Sequence, residues 1–143
     1  MAFLTSDQEQ KVIEAIQKAE TNSSGEVRVH IEKKCPKKDP ISRAEKLFQK
    51  LHMHETELRN GIIIYVATDD HLAAIWGDEG IHSILGQDYW ESTLSQMIES
   101  FKMGEYCEGL VKAVGEIGTK LGEYFPYSED DNNELDDSIS YGE

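Results

Sequence analysis

The sequence predicts an α/β domain, a central mixed β-sheet with helices packed on both faces. Three observations carry this. Glu26 to Lys33 alternates apolar and polar residues at the period of a strand. Gly61 to Ala67 is a continuous, mostly β-branched run, the pattern of a strand buried on both sides. Between them lies an apolar stripe at helical spacing, so strand, helix and strand form a right-handed crossover with parallel strands.

The elements follow in order. Ser6 and Glu9 have the spacing of a capping box, and Val12, Ile13, Ile16 and Ala19 give a first helix to about Glu20. Asn22 to Gly25 is a turn cluster. In the first strand Val27, Val29 and Ile31 face the core, and Arg28, His30 and Glu32 face the other way, so a half-buried strand is expected. Asp39 caps a second helix with Pro40 at its first position and Ile41, Ala44, Leu47, Phe48 and Leu51 on its apolar face. After the Gly61–Ala67 strand, Asp69 and Asp70 turn the chain into a third strand, His71 to Trp76. Asp88 and Glu91 predict another capping box, opening a helix with Trp90, Leu94, Met97, Ile98 and Phe101 on one face. Gly104 separates it from a last helix carrying Leu110, Ala113, Val114, Ile117 and Leu121, which Pro126 stops.

The chain has 143 residues, enough for one domain with its own core. Residues 1–127 are expected to form that domain. Residues 128–143, with seven acids, no Lys or Arg and few core formers, are expected to be a flexible tail. Net charge is −14, which repels phosphate backbones and argues against nucleic acid, while it suits cations or a basic protein. No apolar run approaches the ~20 residues of a membrane helix, and the first ten residues lack the pattern of a signal peptide. Cys35 and Cys107 share no motif and read as reduced thiols, so a cytoplasmic monomer is expected.

Strand direction sorts the loops. Parallel first and second strands with an antiparallel third place Glu26, Arg59, Asn60, Gly77, Asp78 and Glu79 on one sheet edge, with His82 and Asp88 close by. Glu26, Asp78, Glu79 and Asp88 are the candidate ligands of a hard divalent cation, calcium or magnesium, which would relieve their mutual repulsion. Gly25, Arg59, Asn60, Gly77, Gly80 and His82 are the supporting residues of that cleft. The alternatives are a solvated acidic rim, with Arg59 in an ion pair and Asp88 only capping a helix. His52 and His54 form an H-x-H pair without an evident third ligand. Asp69 and Asp70 read as turn residues, and Cys107 as a core residue.

Several of these pieces together resemble the TPM-domain family, in its soluble branch without membrane anchors. They are Ser24-Gly25-Glu26, Arg28 to Glu32, His52-Met53-His54, Arg59-Asn60-Gly61, Gly77 to His82, Trp90, and Gly104 to Leu110. The resemblance spans residues 6–126 and rests on order and spacing. It implies a mixed sheet flanked by helices, a negatively charged cleft formed by these loops, divalent-cation binding in some members and acid phosphatase activity in plant members. Anchored members carry a Gly-x-Gly-Leu-Glu loop; here the loop is one residue longer before its second glycine, Gly80. Three functions follow as expectations: a divalent-cation-binding domain that can act as an interaction module, a metal-assisted phosphatase of phosphomonoesters, or an adaptor recognised through its acidic tail.

Overall fold

A computed structural model describes residues 3–56, 58–126 and 139–142. Helix α1 (Ser6–Thr21) leads into β1 (Glu26–Glu32). Helix α2 (Pro40–Lys50) crosses to β2 (Gly61–Ala67), and a hairpin returns the chain as β3 (Leu72–Gly77). Helices α3 (Glu79–Leu85), α4 (Gln87–Lys102) and α5 (Tyr106–Tyr124) follow, and a two-residue strand β4 (Ser140–Tyr141) comes last. Sheet order is β3-β2-β1-β4. β1 and β2 are parallel, with Glu26 opposite Gly61, and β2 and β3 are antiparallel, with Ile62 opposite Gly77. The chain forms one α/β domain of the architecture its pattern predicts.

Strand β2 owes its central place to its composition. All seven of its residues are buried. Ile62, Ile64 and Val66 join Val27, Val29 and Ile31 under α1, α4 and α5, while Ile63, Tyr65 and Ala67 meet Ala44, Leu47 and Phe48 of α2. Two apolar layers therefore sandwich the sheet.

Several local expectations shift. The first helix is capped one residue early: Thr5 is the N-cap, and its box is completed by Gln8 rather than by Ser6 with Glu9. Both pairs have the required spacing, and the chain adopts the one that starts helix geometry at Ser6. Asp39 caps α2 as expected, accepting from the Ser42 amide at 3.2 Å. Ile41, placed on the apolar face, is 55% exposed instead. Gly86, with φ 80°, precedes α4, so Asp88 lies inside the first turn and the Asp88–Glu91 box is not formed. Strand β1 is not half-buried, since all seven residues are covered. The pattern predicts no element after Pro126, yet Ser140–Tyr141 pairs in parallel with His30 and Ile31. The expected tail is therefore structured at that point; residues 127–138 and 143, which carry its acids, lie outside the described residues.

Candidate functional site

Topology gathers the predicted edge. Glu26 opens β1 directly opposite Gly61, and the Asp78 amide donates to the Gly61 carbonyl at 2.9 Å. Glu26 and Asp78 thus stand about two strand spacings apart, roughly 10 Å between backbones, with Asn60 between them in sequence and space. Glu26, Asn60 and Asp78 are 3%, 1% and 1% exposed. Three polar side chains buried at one sheet edge need partners there.

For Asp78 those partners are plain. Arg59 grips its carboxylate through two bonds, Nε to Oδ2 at 2.7 Å and Nη2 to Oδ1 at 2.9 Å. The Glu79 amide donates to Oδ1 at 2.8 Å as Asp78 caps α3. Hydrogen bonding to Asp78 raises the pKa of the Arg59 guanidinium above its ordinary value. Asp78 is thereby a fixed anchor for Arg59, and the ion pair read as one option in the sequence is the arrangement found. Asn60 Nδ2 reaches Ser24 Oγ at 3.4 Å, and that hydroxyl donates to the Phe125 carbonyl at 3.4 Å. Ser24, in the turn that leads into β1, belongs to this edge although it was not among the predicted site residues.

Glu79, His82 and Asp88 are exposed around this core. The Trp90 indole donates to His82 Nδ1 at 2.8 Å. An indole N–H can only donate, so Nδ1 is the unprotonated nitrogen and its lone pair is in use. The glycines serve packing. A Cβ on Gly25 would sit 2.6 Å from Leu121 Cδ2, and one on Gly77 2.6 Å from Trp90. At Gly80 it would sit 2.1 Å from the Leu58 carbonyl oxygen, because the Gly80 amide bonds the Arg59 carbonyl at 2.8 Å. Only glycine allows that backbone approach, which holds Arg59 over Asp78 despite its φ of 52°.

Among the described residues no group of three or more His, Cys, Asp and Glu is placed to hold a metal ion. The four predicted carboxylates therefore do not form one cage. His52 precedes a short helical turn, Met53–Glu55, that contains His54, and His52 stands 3.4 Å from Glu55.

A second polar cluster lies at the opposite edge, on the α2 side of β1. Arg43 of α2 donates to both oxygens of Glu32, each at 2.9 Å. The Tyr65 hydroxyl donates to Glu32, and His30 Nε2 stands 3.5 Å from it. Burial works to raise the Glu32 carboxyl, but bonds from Arg43 and Tyr65 outweigh it and hold the carboxyl below its usual range. Burial lowers His30, and burial together with the Glu32 carboxylate raises Tyr65. His30 and Glu32, two of the β1 residues expected to face away from the core, are thus joined to Arg43 and Tyr65 in one network.

The sequence profile of the TPM domain matches residues 1–120. No curated protein matches the sequence. The NMR structure of BA42 protein from the psychrophilic bacterium Bizionia argentinensis is 41% identical, with TM-score 0.90, over 99% of this chain and 97% of that one. The N-terminal domain of a P. gingivalis protein, 19% identical, shares the fold with TM-score 0.75 over 90% of this chain and 83% of that one. The N-terminal domain of cg2496 protein from Corynebacterium glutamicum, 11% identical, does so with TM-score 0.66 over 98% of this chain and 80% of that one.

Proposed function

The chain belongs to the TPM domain family, and from that premise we propose that it binds a divalent cation, calcium or magnesium, at the loop edge around Glu26. The supporting observation is the convergence of Glu26, Asn60 and Asp78, all at most 3% exposed, from three separate segments. Glu26, Asn60 and Ser24 supply the oxygens. Asp78 acts through Arg59, fixing the loop rather than ligating, and the exposed Glu79 and Asp88 attract the ion without enclosing it. The net charge of −14 favours the same cation and, as an interaction module, a basic protein. A monomer in a cytoplasmic setting accords with two cysteines that are both free thiols.

Calorimetric titration of calcium and of magnesium into wild type, Glu26→Gln and Glu79→Gln tests this. Glu26→Gln weakens binding at least about tenfold, and Glu79→Gln changes it little. Equal affinity in wild type and Glu26→Gln contradicts the assignment.

A metal-assisted phosphatase of phosphomonoesters is the second reading. It is favoured by Arg59, whose side chain is 48% exposed while it holds Asp78, leaving guanidinium N–H groups for a phosphoryl oxygen. Turnover of a model phosphomonoester that Asp78→Asn abolishes supports it; equal turnover by both proteins points to a contaminant. The adaptor reading rests on tail acids outside the described residues.

A further inference from the structure

The outer edge of β1 holds the terminal strand with more discrimination than a two-residue pairing requires. Odd-numbered residues of β1 turn their backbone groups outward there. Glu20 of α1 accepts from the Val27 amide at 2.8 Å, which closes the lower part of the edge. The upper part receives residues 139–142. Ile139 is 8% exposed and joins the core under α1 and α5. Ser140 Oγ lies 2.8 Å from His30 Nδ1 and donates to the Val29 carbonyl at 3.5 Å. Tyr141 is 54% exposed, and burial with a bond to Glu9 of α1 pushes its hydroxyl up to about 12. The Gly142 amide donates to the Ile31 carbonyl at 2.9 Å.

Gly142 adds the sharpest selection. A Cβ there would lie 2.3 Å from Glu32 Oε1, 2.6 Å from Glu32 Cβ and 3.1 Å from His30 Nε2. Glu32 cannot yield, because Arg43 and Tyr65 hold both of its oxygens. The site therefore reads an apolar residue, a small hydroxyl, a half-exposed residue lying against Glu9, and glycine. Main-chain bonds to a sheet edge with pockets for alternate side chains are the means by which sheets bind extended peptides.

We propose that the upper edge of β1, with His30 and Glu32, is a recognition site for an extended peptide of apolar-Ser-x-Gly pattern, which the chain's own terminus fills. The resident strand competes with any incoming peptide at an effective concentration on the order of millimolar. A peptide then gains access when that strand is displaced.

The experiment uses the full-length, isotopically labelled chain with Gly142→Val, followed by amide NMR. Vacating the edge shifts the amides of residues 29–32. A synthetic peptide with the sequence of residues 135–143 returns them toward their wild-type positions with saturation. The same peptide carrying Gly142→Val does not, and wild-type chain takes up the native peptide at least about tenfold less readily. Ser140→Ala, which keeps the backbone, weakens the resident strand partially and gives an intermediate response. Unchanged amides in the Gly142→Val chain overturn the proposal. So does failure of the native peptide to bind that chain, equal binding of the two peptides, or equal uptake by variant and wild type.

Discussion

Arg43→Met isolates the buried ion pair that closes the polar side of β1. Methionine keeps most of the stem volume and removes both donors to Glu32. Glu32, 5% exposed, would retain its charge with only the Tyr65 hydroxyl and a neutral His30 beside it. Removing one partner of a buried pair costs about 3–5 kcal/mol. The Arg43 side chain is itself 25% exposed, so water screens part of the pair and the expected loss is about 2–3 kcal/mol. For a chain of this length that lowers Tm by about 6–12 °C. Urea and thermal unfolding followed by circular dichroism measure it, with the Glu32→Met single variant and the double variant completing a cycle. The double variant should be more stable than the sum of the single losses implies, because no charge is left stranded. A loss under about 0.5 kcal/mol for Arg43→Met, or strict additivity in the cycle, refutes the reasoning.

Acid should weaken the same region. Burial sets the folded pKa of His30 below 6.5, so between those values the unfolded chain binds more protons and stability falls as pH drops. Glu32 adds a contribution that is complete above 4.5 and is lost as pH falls toward its depressed folded value. Urea midpoints should therefore decline first below about pH 6.5 and again below about pH 4.5; His30→Gln should remove the first decline alone. Gly80→Ala should cost about 1–3 kcal/mol, because the new methyl meets two carbonyl oxygens that belong to backbone; a change under 0.5 kcal/mol in unfolding assays would show the loop to be pliable. Leu110→Ala, at a residue with no exposure, should cost about 2–5 kcal/mol by the same assays without altering cation affinity.

What could be read from sequence was whatever neighbours in the chain decide. The run Gly61–Ala67 carries its own burial, and the Asp39-Pro40 start of α2 is a local cap, so both elements lie where expected. Strand direction then placed Glu26, Asn60 and Asp78 on one edge. Features that depend on distant segments were not legible. His30 and Glu32 look like a wet face until Arg43 arrives from α2 and Ser140 from the last strand. A two-residue strand has no periodicity to detect. Asp88 looks like a cap only if Gly86 is not, and Gly86 takes the N-cap place at φ 80°, a conformation open to glycine. The pairing of Asp78 with Arg59 depends on Gly80 drawing two loops together, which spacing alone cannot show.

The cation assignment turns on the corner where β1 and β2 begin, and amide NMR during addition of calcium to the full chain inspects it residue by residue. The account predicts saturable shifts confined to residues 24–26, 60–61 and 77–80, absent from Glu26→Gln and produced by calcium or by magnesium. Amides in those three segments that stay still at millimolar ion, or that move equally in Glu26→Gln, would contradict it.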